Sequence, residues 1–149
     1  MKEKLLISAC LLGARCKYDG GTNTLPAQTL AALRSRYALV PVCPETAGGL
    51  PVPRAPSERR GPSVVTCEGK DVSAAYDEGA RVALSLAERF GCRKALLKER
   101  SPSCGAGAIY DGSFSHTPIP GDGVAAQALR AAGLSLYGES CAEELLKEE

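Results

Sequence analysis

Short apolar runs alternate with longer stretches in which apolar residues recur every three or four positions, and this alternation is the first clue to the fold. Residues 4–9, 37–42 and 94–97 are short runs rich in apolar residues, the first broken by small residues at Ser8 and Ala9, and turn-forming residues follow them. Such runs predict strands buried on both faces. Between them, Leu30 and Leu33 share one face of a helix predicted over residues 26–36, with Thr22, Asn23 and Thr24 as caps ahead of Pro26. A longer helix, capped by Asp71 or Ser73, carries Tyr76, Ala80, Ala83, Leu86, Ala87 and Phe90 at helical spacing and stops at Gly91. Residues 63–70 predict a hairpin turning at Glu68 and Gly69, and residues 106–110 a short strand. Further on, Asp122 is placed to cap a helix over 123–132, residues 134–137 form a last strand, and Ser140 with Glu143 makes a capping box for a terminal helix. Strands alternating with helices imply a mainly parallel sheet covered on both faces. The expected architecture is a single three-layer α/β domain over residues 1–149, Rossmann-like. In such sheets ligands bind beyond the carboxyl ends of the strands.

One segment breaks the rhythm. Residues 44–62 hold five of the ten prolines, the pair Gly48 and Gly49, and a charged group at Arg54, Glu58, Arg59 and Arg60. Prolines at that density exclude a regular element and make a loop stiff. We expect it to wall or cover an active site, with Arg59 and Arg60 at a solvated tip.

Composition narrows the function. A net charge of +1 and 5% aromatic residues supply neither a polyanion-binding field nor a row of stacking rings, so nucleic acid is not expected as an obligate partner. A small base or nucleoside is compatible with both. Near the N-terminus Ile7, Ser8, Ala9 and Cys10 resemble a lipoprotein cleavage box. The apolar run before them falls short of the roughly 7–15 residues of a secretory core, and no stretch approaches the ~20 of a membrane span. No membrane partner and a cytoplasmic location are expected.

Seven cysteines cannot all pair within one molecule, and a 149-residue chain needs no covalent staples. Thiol chemistry or metal binding suits some of them better. Cys10, Cys43 and Cys104 each lie just beyond a predicted strand, in three strand-to-helix loops, and so can converge on one rim of the sheet. Cys16 in a nearby loop, Cys67 in the hairpin, Cys92 at a helix end and Cys141 in the terminal helix are not expected there. Three thiolates leave a fourth coordination position free, the mark of a reactive site. Zinc with a water and a [4Fe-4S] cluster with one open iron both satisfy that count, and soft ligands favour a sulfur atom at the open position. The third thiol sits in the most distinctive loop of the chain, where Ser101, Pro102, Ser103, Cys104 and Gly105 follow directly on an apolar run.

Several stretches carry a resemblance. Residues 8–13, 18–21, 41–45 with 48–51, 53–56 with Glu58, and 101–105, extended by 69–72, Lys98 and 110–112, resemble in order and spacing the bacterial thiouracil desulfurase family. The resemblance covers nearly the whole chain. It implies a [4Fe-4S] cluster on Cys10, Cys43 and Cys104, Glu45 and Ser101 as the catalytic pair, and release of sulfide from a thiolated pyrimidine base or nucleotide without net redox change. The remaining cysteines fall outside its motifs. A thiocarbonyl carbon resists water until its sulfur is drawn off, which an open iron can do as a Lewis acid. Glu45, held by Pro44, can activate the water or shuttle a proton, and Ser101 can hydrogen-bond the substrate.

Other residues are secondary candidates for substrate contact. Asp19 can bond a ring N–H or anchor its turn; Arg54 can hold a phosphate or ribose or pair with Glu58; Ser103 can touch substrate or serve the turn. Lys98 can balance a thiolate-bound cluster or end its strand. His116, the only histidine, lies in a polar loop and is expected to be exposed. Two other classes use the same thiols: a sulfur or metal carrier, which needs neither Glu45 nor Ser101, and a redox enzyme with Cys10 and Cys16 as its reactive pair.

Overall fold

The computed structural model describes residues 2–147. Strands β1 (Glu3–Ser8), β2 (Tyr37–Val42), β5 (Lys94–Leu97) and β8 (Ser135–Gly138) form a sheet of order β2-β1-β5-β8, and every pairing in it is parallel. The side-chain period of two divides each strand between the two faces. Leu5 and Ile7 of β1, with Leu96 of β5, pack beneath helix α1 (Ala27–Arg36) and the C-terminal segment through Leu30, Leu33, Ala142 and Leu145. Leu6, Ala95 and Leu97 face the opposite way, against Ala80, Ala83 and Ala87 of α3 (Ser73–Phe90) and Ala125, Ala126 and Leu129 of α4 (Val124–Ala131). Two cores, one on each face, are what the three-layer expectation requires. The small residues on α3 and α4 let those helices lie close to the sheet. Helix α3 ends where expected, with Gly91 at φ 68°, a conformation glycine adopts without a Cβ penalty.

The chain leaves β1 for β2 on one side and enters β5 on the other, so the direction of winding reverses between β1 and β5. That reversal opens the crevice where such folds take ligands.

Several local expectations are corrected. The proline-rich stretch is not devoid of regular structure: it holds a one-turn helix α2 (Pro44–Ala47) and strand β3 (Ser57–Arg60). Proline at the first helical position loses no hydrogen bond, which is why α2 can start at Pro44. Strand β3 pairs antiparallel with β4 (Ser63–Thr66), so the hairpin turns mainly at Gly61 and Pro62. The turn at Glu68 and Gly69 exists, but its return arm is a single bridge from Val65 to Asp71. A ribbon of β6 (Ala108–Tyr110) with β7 (Pro118–Pro120) was not foreseen at β7. Neither Asp71 nor Ser73 caps α3; Asp71 accepts the Ser73 N–H, and Ser73 Oγ accepts from the Val64 N–H. Nor do Thr22, Asn23 and Thr24 cap α1, which starts after Pro26. Asp122 does not cap α4 but accepts the Gly107 N–H at 2.8 Å and pairs with Arg130. The terminal segment Glu139–Leu146 is a 3₁₀ helix without a side-chain cap, because Ser140 is engaged by Glu99.

Among the described residues, no helix is long and apolar enough to cross a membrane.

Candidate active site

Beyond the carboxyl ends of β2, β1 and β5 lies a cavity of about 440 Å³, and Cys10, Cys43 and Cys104 all line it. Each arrives by a different local device. Cys43 directly follows β2 and precedes the proline that opens α2. Cys10 sits in a 3₁₀ turn (Ala9–Leu12) at the end of β1, where its carbonyl accepts from Asn23 N–H at 3.0 Å and Thr22 Oγ1 at 2.9 Å. Cys104 is buried in the loop after β5, its N–H donating to Ser101 Oγ at 3.0 Å. Ser8, buried at the end of β1, ties the strand ends together by accepting the Lys98 N–H at 2.9 Å.

The thiols are electrostatically unsettled. Burial raises the Cys10 thiol above its ordinary range, and the neighbouring Cys43 charge adds to this against a hydrogen bond from Asn23. Burial likewise pushes Cys104 up to about 12, opposed by hydrogen bonds with Ser8 and Ser103. Without a cation these groups hold their protons; a coordinated soft cation is what would deprotonate them together. Among the described residues no group of three His, Cys, Asp or Glu side chains gathers tightly enough for a single ion. A lone tetrahedral zinc, with thiolates about 2.3 Å away, therefore fits poorly. Three soft donors spread round a roomy cavity suit a group with volume of its own.

Glu45 and Ser101 also line this cavity. They do not touch directly. Arg54 donates to Glu45 Oε1 from Nη2 at 2.6 Å and from Nε at 3.1 Å, while Ser103 Oγ donates to Glu45 Oε2 at 3.0 Å. Ser103 Oγ lies 3.0 Å from Ser101 Oγ and 3.7 Å from Cys104 Sγ. Carboxylate, two hydroxyls and thiol thus form one connected network.

The secondary candidates are sorted by the same geometry. Arg54 pairs with Glu45, not Glu58, and donates as well to the carbonyls of Pro51 and Cys16, so its guanidinium is committed to the protein. Glu58 is buried and accepts the N–H groups of Gly112 and Phe114. Ser103 is buried and faces Glu45 and Ser101. Asp19 is half exposed, closes its own turn on the Gly21 N–H, and is not part of the cavity wall. Lys98 both ends its strand and pairs with Glu139 at 3.0 Å, its charge favouring the Cys10 thiolate. His116 is exposed, as expected, and stands at the cavity wall edge-on to Tyr110.

Two cysteines correct the sequence reading. Cys16 and Cys67 line the cavity too, whereas Cys92 is buried against α3 and Cys141 is exposed. The Cys16 carbonyl accepts from Arg54 Nη2 at 2.9 Å and from the Cys43 thiol at 3.9 Å, and Cys16 forms no disulfide with Cys10.

The sequence profile of the 2-thiouracil desulfurase family matches residues 5–140. The chain belongs to that family. As a 2-thiouracil desulfurase family member it is an enzyme of the thiouracil desulfidase type. A curated relative from Bacillus subtilis (strain 168), the uncharacterized protein YbbK, is 36% identical over 152 residues, covering 95% of this chain and 99% of its own. Among solved structures, a [4Fe-4S]-dependent thiouracil desulfidase, TudS, superposes with a TM-score of 0.92 at 46% identity, covering 97% of this chain and 95% of the other.

Proposed function

We propose that this enzyme removes sulfur from a thiolated pyrimidine by non-redox hydrolysis, with a [4Fe-4S] cluster held by Cys10, Cys43 and Cys104. The observation that carries the reading is the convergence of those three thiols, from the ends of three adjacent parallel strands, on a cavity that also holds the Glu45–Ser103–Ser101 network. Three thiolates leave one iron of such a cluster open, and what it supplies is a soft Lewis acid for the substrate's sulfur.

The chain's own residues do the remainder. Glu45, oriented by Arg54 on one oxygen, accepts a proton from the water that attacks the thiocarbonyl carbon. Ser101, whose oxygen already accepts the N–H groups of Ser103 and Cys104, keeps its hydroxyl hydrogen for Ser103 or for the substrate. Tyr110 and Phe114 on the cavity wall offer aromatic surface to a flat heterocycle bound beside the strand ends.

The test is anaerobic iron and acid-labile sulfide analysis, then incubation with 2- and 4-thiouracil while sulfide release is followed. Cys10→Ser, Cys43→Ser and Cys104→Ser are each expected to lose the brown absorbance, whereas Cys16→Ser keeps it together with activity. Glu45→Ala and Ser101→Ala keep the colour and lose roughly 10²–10⁴ in turnover, the range of general acid–base catalysis. Full activity in both would favour a sulfur carrier, and loss of activity only in Cys16→Ser a thiol redox enzyme.

A further inference from the structure

The geometry points to Ser103 as the residue that carries a proton between Glu45 and Ser101, a positioning and relay role distinct from contact with substrate. This rests on the desulfidation reading above. Ser103 stands in the cavity wall but is only 1% exposed, so it offers little to a bound ring, yet its hydroxyl lies 3.0 Å from Glu45 Oε2 and 3.0 Å from Ser101 Oγ. No direct bond joins Glu45 to Ser101 among the contacts of either residue. Ser103 spans that gap.

The direction of the hydrogen bonds follows from counting donors. A carboxylate only accepts, so Ser103 spends its single hydrogen on Glu45. Ser101 Oγ already accepts two backbone N–H groups, from Ser103 at 3.1 Å and Cys104 at 3.0 Å, leaving its own hydrogen for Ser103 Oγ. The resting chain therefore runs from Ser101 to Ser103 to Glu45. Two N–H donors on Ser101 Oγ also stabilise negative charge there, which makes that hydroxyl a better proton donor.

Hydrolysis of a thiocarbonyl needs such a chain. The carbon gains the oxygen of water and loses sulfur, both hydrogens of water leave with the sulfur as hydrogen sulfide, and no electrons are exchanged. A proton taken up by Glu45 from the attacking water must therefore travel to the departing sulfur. With the water's proton on Glu45, the two hydroxyls rotate so that Ser103 points to Ser101 and Ser101 to the sulfur. Glu45 then gives its proton to Ser103 Oγ, Ser103 passes its own hydrogen to Ser101 Oγ, and Ser101 delivers its hydrogen to the sulfur, which leaves both hydroxyls in their resting orientation. The second hydrogen takes the same route as the new carbonyl forms.

The experiment uses the anaerobically purified, cluster-loaded enzyme with 4-thiouracil. Ser103→Ala is expected to lower kcat about a hundredfold while KM stays within about threefold, with iron content and visible spectrum unchanged. Ser103→Thr, which keeps the hydroxyl, restores most of the loss. Because the relay acts as a unit, the double variant Glu45→Gln/Ser103→Ala loses no more than Glu45→Gln alone, whereas a merely structural serine would give multiplying losses. The inference is overturned by unchanged kcat in Ser103→Ala, by a rise in KM alone, which would mean substrate contact, or by loss of iron, which would make Ser103 a support for Cys104. A parental enzyme that releases no sulfide would instead refute the desulfidation reading itself.

Discussion

Arg54 offers the sharpest test of how the site is held. Its guanidinium meets Glu45 Oε1 at 2.6 Å with side chains only 8% and 14% exposed, and it also spans the Pro51 and Cys16 carbonyls. Replacing it by methionine keeps most of the volume and strands the carboxylate. Removing one partner of a buried ion pair costs about 3–5 kcal/mol. Ser103 still donates to the other Glu45 oxygen, which places the expected loss near the lower end, about 3 kcal/mol. For a chain of this size that corresponds to roughly 6–12 °C in the unfolding midpoint. Circular dichroism under anaerobic conditions, by heat and by urea, measures it. Adding Glu45→Gln to Arg54→Met removes the stranded charge and should recover about 1–2 kcal/mol. An Arg54→Met variant within about 1 kcal/mol of the parent, or a double variant less stable than the single, would refute the account of a desolvated pair.

Two further outcomes follow from packing and charge. Helices α2 and α3 touch backbone to backbone: a Cβ on Gly79 would overlap the Pro44 carbonyl, and one on Gly48 the Ala75 carbonyl. Gly79→Ala should therefore cost about 1–3 kcal/mol and lower sulfide release, since α2 carries Glu45 on its first turn; unaltered kcat and melting would contradict it. Asp122 is held below the usual carboxylate range chiefly by its hydrogen bond from Arg130, with help from the Gly107 N–H and the Arg59 charge. A depressed folded-state pKa gives stability that is present above the unfolded value, about 3.9, and is lost as pH falls through the folded value. Asp122→Asn should be less stable than the parent at neutral pH and converge on it in acid, as read from urea midpoints across that range.

What was legible from sequence was the part governed by local rules. An apolar run that stops at a thiol, as at Val42 with Cys43, marks both a strand and what lies at its end. What was hidden depended on contacts between distant segments. Arg54 has an acidic residue four positions away in Glu58, yet it pairs with Glu45 because the loop folds α2 under it, while Glu58 is drawn to the backbone of Gly112 and Phe114. Strand β7 has two prolines in three residues and all three exposed, so neither periodicity nor burial announced it; an edge position is where proline is tolerated. At the C-terminus the capping-box pattern was real in sequence, but Ser140 had a stronger partner in the Glu99 carboxylate.

The placement of Cys16 shows why motif and geometry must be read together. Its thiol lies beside Cys43 and its charge environment is the same crowd of thiols, with burial and the Cys43 charge pushing it up to about 12. Burial pushes the Cys104 thiol up to the same level, so proton affinity does not separate Cys16 from the three proposed ligands, and position must. Cys43 differs in having the strand end and α2 to fix it, whereas Cys16 is fixed through its backbone by Arg54. Arg54 thus ties the backbone of Cys16, which lies outside the proposed ligand set, to the carboxylate proposed for acid–base chemistry. The same side chain that orients Glu45 holds the 13–22 loop at the cavity wall through the Cys16 carbonyl. A change at Arg54 should accordingly be felt at both walls at once, in the stability of the pair and in the access of water to the strand ends.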